Sequence, residues 1–301
     1  LWSEGAWLKE ALMAWQVHQV VFRLRSPLHI GWGKVGNLQR TRPYVTGRVL
    51  WGALTMRLTR DAANGRNSAT DSREYLRAGD ELHRSLAYTY FYPATRSGTG
   101  YQIAWPWPNE SQFRRRFLGS YSGTALSYPQ QAAATGMLHE VEFITSRTLD
   151  TGEPVFLVGY VFERDGCELK WQAACKRLQL GGERGYGWGD LGRIESSEYT
   201  SEDLFDGKAK FNGMGERPVI SLPASKSSPE PLLAHTLTAN LPASGEVEPL
   251  VGREWRSYNT HNHHAGQHVE FSGVCFAPGS TVDQPLDLVI GEFGIWQKRG
   301  K

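Results

Sequence analysis

Hydrophobic and polar residues alternate in several stretches of the chain, and this alternation predicts β-strands. Residues 16–30 interleave β-branched and aromatic residues with histidines and arginines, which is typical of a strand. Residues 138–144 alternate strictly and predict a strand with one polar face. Residues 155–162 are almost wholly apolar, which indicates a strand at the centre of a sheet. Residues 190–199 predict a further strand.

Segments whose apolar residues have helical spacing lie before and between these strands. Thr46 is a predicted N-cap, and the residues after it place an apolar stripe on one face of a helix that ends near Leu58. Residues 168–178 predict a second short helix, and residues 1–15 predict an amphipathic helix ahead of the first strand. Residues 82–107 predict a hairpin. The order strand, helix, strands, helix, strand predicts an α+β fold of the ferredoxin-like (RRM-like) type.

The composition changes after about residue 200. Residues 201–231 are rich in proline and serine, which predicts a linker. Residues 233–241, 267–276 and 286–293 have the character of strands. We therefore predict a ferredoxin-like domain over residues 1–200, a linker over 201–231 and a smaller β-rich C-terminal region over 232–301.

Composition places the chain among globular proteins. It has 301 residues, of which 40% are hydrophobic and 12% aromatic. No apolar run is long enough for a transmembrane helix, and no stretch at the start has the pattern of a signal peptide. The three cysteines are odd in number and lack C-x-x-C spacing, which argues against a disulfide framework and a thiolate zinc site. We expect a cytoplasmic protein.

Charge is distributed unevenly along the chain. The formal net charge is only +2, but residues 1–116 are strongly basic and the remainder is net acidic. Arginine supplies 24 of the 33 basic residues, and its planar guanidinium suits phosphate contacts and stacking on bases. This pattern indicates a localised anionic partner, for which nucleic acid is favoured. The alternative is a solvated basic surface whose charge is balanced by the acidic half of the same protein.

Residues 181–189 combine five glycines with an arginine and two aromatic residues. The stretch lies between a predicted helix and a predicted strand, which is the wrong order for a dinucleotide site, and it lacks the Lys-Ser/Thr of a P-loop. Exposed backbone N–H groups, a guanidinium and aromatic rings suit single-stranded nucleic acid. A second glycine-containing basic segment follows the first strand. The predicted RNA-binding residues are Gly181, Gly182, Arg184, Gly185, Tyr186, Gly187 and Trp188, with Trp32, Lys34, Arg40, Arg42 and Arg48.

Histidines offer two alternative chemistries. Cleavage of RNA through the 2′-OH needs a group that titrates near neutral pH, and His29 or His18 could serve, although a structural role is the more common one. The other chemistry is metal binding by a histidine cluster, although a polar loop with exposed histidines explains the cluster better. That cluster comprises His261, His263, His264 and His268. We expect no cofactor.

Three motifs in this order resemble the RAMP superfamily of CRISPR-associated RNA-binding proteins. They are residues 27–33 (PLHIGWG), residues 42–54 (RPYVTGRVLWGAL) and the glycine-rich residues 181–189. Residues 138–143 (LHEVEF) also resemble the central strand of that family. The resemblance covers about residues 16–200. It implies a ferredoxin-like RAMP domain in which the glycine-rich loop contacts guide RNA, within a type III CRISPR effector complex or its RNA-processing machinery.

The resemblance also bears on catalysis. Backbone subunits that cut target RNA carry an aspartate after the first strand, whereas residues 31–44 here contain no acidic residue. We therefore predict a non-catalytic subunit of an antiviral type III effector ribonucleoprotein that binds the guide RNA (crRNA) at its 5′ tag. Its partners would be guide RNA, other subunits and, indirectly, target RNA, with no membrane. The alternatives are a metal-independent endoribonuclease that processes CRISPR transcripts, and a structural subunit that makes only protein contacts.

Overall fold

The computed structural model describes residues 14–63, 71–128, 132–258 and 264–300. The helix predicted over residues 1–15 lies almost entirely outside the described residues, as do His261 and His263. Trp15 already belongs to the first strand.

The first two hundred residues form a mixed α+β structure, as predicted. Four helices are α1 (Gly47–Ala62), α2 (Ser72–Ser85), α3 (Glu110–Phe117) and α4 (Trp171–Ala174). Twelve strands are β1 (Trp15–Leu24), β2 (Gly31–Val35), β3 (Leu38–Thr41), β4 (Leu86–Tyr88), β5 (Tyr92–Ser97), β6 (Gly100–Ile103), β7 (Leu118–Gly123), β8 (Leu126–Ser127), β9 (Ala132–Ala133), β10 (His139–Ile144), β11 (Phe156–Arg164) and β12 (Leu191–Glu198).

The C-terminal third is built from strands. They are β13 (Asp203–Leu204), β14 (Ala209–Asn212), β15 (Val219–Leu222), β16 (Glu230–Pro231), β17 (Thr236–Leu237), β18 (Ala243–Ser244), β19 (Val247–Glu254), β20 (His268–Phe276), β21 (Thr281–Val282), β22 (Leu286–Ile290) and β23 (Trp296–Lys298).

The first sheet has the strand order β12-β1-β11-β5-β6, with β4 also paired to β11, and all of these pairs are antiparallel. The apolar strand β11 lies inside it, as its sequence predicts. Strand β1 is buried on both faces, since Val20 and Phe22 pack in one core and Trp15 and Val17 in another. Because side chains alternate along a strand, β1 separates these two cores.

Helix α1 covers one of those faces. Leu50 and Leu54 from α1 share a buried cluster with Phe22 of β1 and Trp171 of α4. Thr46 occupies the N-cap position as predicted, but its side chain makes no capping hydrogen bond. Packing of the apolar stripe against the sheet therefore stabilises α1 more than its cap does.

The second core joins the two parts of the chain. Tyr90 and Phe162 from the first part pack in one cluster with Ile220, Leu288 and Trp296 from the second.

The structure differs from the predicted linker over residues 201–231, because this segment contributes β13, β14 and β15 to an eight-stranded sheet of order β13-β14-β15-β22-β23-β17-β20-β19. Alternating apolar residues such as Ile220 and Leu222 override the local proline and serine content.

A four-stranded sheet of order β2-β3-β10-β7 lies beside α3. Strand β10 runs parallel to β3 and antiparallel to β7. The remaining strands form a three-stranded sheet (β16-β21-β18) and a two-stranded one (β8-β9). Among the residues that the structure describes, no helix is long and apolar enough to cross a membrane.

Candidate nucleic-acid interface

The glycine-rich loop docks on the chain that follows β1. The Gly189 N–H donates to the Pro27 carbonyl at 2.7 Å, and the Gly182 N–H donates to the His29 carbonyl at 2.9 Å. Gly181 and Gly189 have φ values of 77° and 75°. A Cβ at Gly189 would lie 1.8 Å from the Leu180 carbonyl oxygen, so only glycine allows this close approach. The ends of the loop are therefore fixed to the body of the protein.

The middle of the loop projects into solvent. Residues Arg184–Tyr186 form one 3₁₀ turn, preceded by Glu183 in the left-handed region at φ 54°. The Gln179 side-chain amide donates hydrogen bonds to the carbonyls of Arg184 at 3.0 Å and Trp188 at 2.8 Å. These two hydrogen bonds stabilise the turn. Tyr186 is 81% exposed. The structure thus presents Arg184, Gly185, Tyr186 and Gly187 on a supported, exposed turn.

Trp188 is placed differently from Tyr186. Its ring is half-buried and packs edge-to-face on Phe143, with ring centroids 4.9 Å apart, and lies 6.4 Å from the ring of Tyr121. Part of its surface is therefore used in anchoring the loop to the four-stranded sheet. Edge-to-face packing of this kind stabilises the contact beyond simple burial.

The β2–β3 hairpin carries the second group of predicted residues. Trp32 is 46% exposed, and the guanidiniums of Arg40 and Arg42 each lie 5.5 Å from its ring centroid. Lys34 is exposed on the same hairpin. Arg40 also lies 3.8 Å from the buried carboxylate of Glu142. The hairpin therefore presents an indole ring with two cations at cation–π distance.

Two of the predicted arginines serve the fold. Arg42 donates two hydrogen bonds to Glu248, at 2.9 and 2.7 Å. Burial alone would lower the pKa of Arg42, but the Glu248 carboxylate outweighs it, so the pKa is raised. Arg48 donates to Glu254 at 2.8 Å and lies 4.2 Å from the ring of Phe293. Since their charge is already paired with acidic residues of the C-terminal region, these side chains fit phosphate contact poorly. RNA binding by Arg42 and Arg48 stays a prediction, and these ion pairs weigh against it.

The two candidate catalytic histidines are both buried and lie in different surroundings. His29 Nδ1 lies 2.7 Å from the Glu142 carbonyl oxygen, beneath the docked loop. His18 lies 3.4 Å from Glu163 and edge-to-face with Trp171, and burial lowers its pKa. Neither ring is presented on the exposed surface formed by the loop and the β2–β3 hairpin.

The predicted histidine metal cluster falls partly outside the described residues. Of the two that are described, His268 lies 3.2 Å from Glu270, and the ligand atoms of Glu254, His268 and Glu270 all lie within 4.8 Å of one another. Arg256 already approaches Glu254 at 2.8 Å and Glu270 at 3.7 Å. These guanidinium contacts supply the positive charge that a metal ion would bring.

No family model matches the sequence, and no curated protein matches it either. Among solved structures, the chain is similar to a chain of the type III-B Cmr-beta complex bound to cognate target RNA and AMPPnP, with a TM-score of 0.47 and 11% identity over 88% of this chain and 85% of that one. A chain of Cmr-beta bound to cognate target RNA has a TM-score of 0.45 and 10% identity, over 88% of this chain and 86% of that one. A chain of apo Cmr-beta has a TM-score of 0.35 and 11% identity, over 60% of this chain and 96% of that one.

The sequence pattern does not single out Glu142 or Tyr121 as residues of the interface. The Glu142 carboxylate accepts a hydrogen bond from the Thr41 N–H at 3.0 Å and contacts Arg114, so it fixes β3 against β10 and α3. Strict alternation over residues 138–144 was the available signal, because it placed the two glutamates of that strand on one face. Tyr121 lies in a short stretch of small polar residues that has little periodicity.

Proposed function

We propose that this chain is a non-catalytic subunit of a type III CRISPR effector complex that binds the guide RNA at its 5′ tag. The proposal takes the complex and the guide from the RAMP resemblance of residues 16–200. The observation that carries RNA binding is the docked glycine-rich loop, whose ends are fixed and whose middle exposes Arg184 and Tyr186. A preorganised turn loses less conformational entropy when it binds a flexible strand.

The strand order of the first sheet supports the finer fold assignment. A ferredoxin-like domain has four antiparallel strands in the spatial order fourth-first-third-second, with two crossover helices on one face. Here the path β12-β1-β11-β5 has this arrangement, and α1 and α4 pack in the core on one side of it. We propose the ferredoxin-like RAMP domain on this ground. Its proposed limits remain residues 1–200, although the second core extends across them.

The surroundings of the histidines favour binding over cleavage. A general acid or base must reach the scissile nucleotide directly or through one water molecule. His29 is buried with its ring beside Gly182 of the loop and Gly31 of β2, and His18 is buried with its ring edge-to-face against Trp171. Neither of the two candidate catalytic histidines is therefore exposed at the proposed interface, which disfavours the endoribonuclease alternative.

One observation favours contacts with other subunits as well. Strand β19 is the last strand of the eight-stranded sheet, and the β19–β20 hairpin exposes Val251, Val269 and Phe271 on one side. Exposed apolar patches of this kind mark protein interfaces. We include protein partners in the proposal, and a purely structural subunit is the alternative that the next experiment separates.

The first test compares RNA binding by the full chain with that of two single arginine variants. Arg184→Ala removes the cation of the exposed turn, and Arg96→Ala removes one charge from an exposed position on the distant β5–β6 hairpin. We expect Arg184→Ala to weaken binding of a labelled single-stranded RNA about tenfold, and to lower the slope of log affinity against log salt by about 0.7. Fluorescence anisotropy at several salt concentrations measures both quantities.

Arg96→Ala should retain the affinity and the salt slope of the unaltered chain. Equal behaviour of the two variants would contradict the assignment of the loop. Purification of the complex from its host, with sequencing of bound RNA, tests the guide assignment. Short RNAs with a common repeat-derived 5′ end support it, whereas protein partners without RNA would favour the structural alternative.

A further inference from the structure

The four-stranded sheet has one face turned toward the core and one turned outward. Leu118 and Ile144 are paired across β7 and β10 and are buried with Phe113 and Phe117 of α3, so their face is the inner one. Alternation then places the pairs Phe143–Gly119, Val141–Tyr121 and His139–Gly123 on the outer face. Three aromatic rings therefore belong to this outward face.

Glycines of β7 make room for these rings. A Cβ at Gly119 would lie 3.0 Å from the ring of Phe143, and a Cβ at Gly123 would lie 3.0 Å from the ring of His139. Each ring thus lies over a position without a side chain, and Tyr121 stands between them with 63% of its surface exposed. Tyr121 is on β7 and the other two rings are on β10, but their cross-strand pairs follow one another at two-residue intervals, about 7 Å along the strands. The rings therefore follow one another along the sheet at a regular interval.

Trp188 extends this row into the glycine-rich loop through its contacts with Phe143 and Tyr121. We call the set Tyr121, His139, Phe143 and Trp188 the outer ring face. It is continuous with the proposed interface, because Trp188 follows the exposed turn of Arg184 and Tyr186 directly along the chain.

The charge of this face suits an anionic ligand. The register places Lys34 and Gln39 on the same side as Val141, whereas Glu140 and Glu142 point to the opposite side. Arg40 and Arg114 lie with Glu142 on that inner side, which confirms the alternation. Among the described strand positions assigned to the outer side, none is acidic.

We propose that the outer ring face is a second base-binding surface, on which consecutive bases of the single-stranded RNA held by the glycine-rich loop stack, with Tyr121 as the central ring. Tyr121 and His139 are exposed and Phe143 and Trp188 are half-buried, on a sheet face that also carries Lys34 and turns its carboxylates away. Such a face fits a polyanion with stackable bases better than it fits a protein surface. The inference rests on the proposed function in one respect, since the loop must already hold the same RNA strand.

The test uses the full chain and single-stranded RNAs of graded length, from about 4 to about 16 nucleotides. RNAs that reach only the loop should bind Tyr121→Ala and the unaltered chain equally. Longer RNAs should bind Tyr121→Ala about fivefold to a hundredfold more weakly, the range that the loss of one stacked base produces. Tyr121→Phe keeps the ring and should retain the length dependence. Tyr128→Ala, which removes a tyrosine 89% exposed outside this face, is the matched control.

The outcomes separate this inference from the function on which it rests. If Tyr121→Ala binds every length as the unaltered chain does while Arg184→Ala is weakened, the outer ring face takes no bases and only the loop binds RNA. If the unaltered chain binds no RNA of any length, both proposals are wrong. Loss of a protein partner by Tyr121→Ala, with RNA affinity unchanged, would make the face a protein interface and overturn the inference.

Discussion

At the scale of single residues, the two aromatic side chains of the loop have different surroundings. Tyr186 is exposed and has no ring neighbour among the described aromatic contacts, whereas Trp188 packs on Phe143. A ring that is free on both faces can stack on a base without losing any contact within the protein. A ring that is packed contributes to the stability of the fold as well.

We therefore predict different consequences for Tyr186→Ala and Trp188→Ala. Tyr186→Ala should weaken RNA binding about fivefold to a hundredfold and leave the free energy of unfolding unchanged within about 0.5 kcal/mol. Trp188→Ala should weaken binding and also lower the free energy of unfolding by about 1–3 kcal/mol, because it removes buried apolar surface. Anisotropy and urea denaturation measure the two effects. Equal stability of the two variants would contradict the anchoring role of Trp188.

Buried ion pairs also act at this scale. Glu142 lies on the inner side of β10 and contacts Arg114, and it lies 3.8 Å from Arg40. Arg40 in turn lies beside Trp32, on the exposed hairpin. The carboxylate therefore restrains a cation of the proposed interface from inside the protein, which a reading of the exposed residues alone would miss.

At the scale of elements, the loop depends on the glycines at its two ends more than on Gly185 in its middle. Gly181 and Gly189 have positive φ values and would clash with backbone oxygens if they carried a Cβ, while Gly185 has no neighbouring atom within 4 Å of that position. The end glycines let the loop dock against the residues after β1. The middle one lies in the exposed turn.

Gly189→Ala should accordingly displace the docked loop. We expect the free energy of unfolding to fall by about 1–3 kcal/mol, since a left-handed conformation and a contact of 1.8 Å would both have to be relieved. RNA affinity should fall with it, because Arg184 and Tyr186 would no longer be held in place. Gly185→Ala is the control for stability and should change it by less than about 0.5 kcal/mol. Destabilisation by Gly185→Ala but not by Gly189→Ala would refute this account.

At the scale of the whole molecule, a buried polar network joins the two parts of the chain. His235 is fully buried, with Nδ1 2.7 Å from the Tyr90 hydroxyl and Nε2 2.7 Å from Glu248. Glu248 also accepts two hydrogen bonds from Arg42. Burial would raise the pKa of Glu248, but these hydrogen bonds lower it to about 2. The charged carboxylate is therefore the favoured form in the folded protein.

Removing this carboxylate should weaken the packing between the two parts. We expect Glu248→Ala to lower the free energy of unfolding by about 3–5 kcal/mol, because it leaves Arg42 buried without its partner. Urea denaturation followed by both tryptophan fluorescence and far-UV circular dichroism measures the change. A loss below about 0.5 kcal/mol would show that the network does not stabilise the fold.

The pH dependence supplies an independent check of the same network. The pKa of Glu248 lies below its ordinary value of 4.5 when the chain is folded, so its contribution is fully present above pH 4.5 and is lost as the pH falls toward about 2. Burial also lowers the pKa of His235, so its neutral form contributes stability that declines as the pH falls below 6.5. In Glu248→Ala, the part of the acid destabilisation that belongs to Glu248 should be absent.

The sequence by itself determined the elements whose signal is local. Periodicity identified β1, α1, β10 and β11, because a strand or helix with one buried face must repeat its apolar residues at a fixed interval. The hairpin predicted over residues 82–107 is confirmed for residues 92–103, whereas residues 82–85 belong to the end of α2. The glycine pattern located the loop as well, since its close backbone contacts demand glycine.

Only the tertiary structure decided which charged residues remain available to contact an RNA ligand and which are paired within the protein. Arg40, Arg42 and Arg48 look alike in a basic stretch of sequence, yet Arg42 and Arg48 each pair with a glutamate 206 residues away. The strands in residues 201–231 were hidden by the local proline and serine content, and although β13, β14 and β15 pair with one another, only the pairing of β15 with the distant β22 joins them to the larger sheet. Local composition records what a segment prefers, whereas ion pairs, sheet neighbours and the row of rings on β7 and β10 depend on contacts that exist only after the chain has folded.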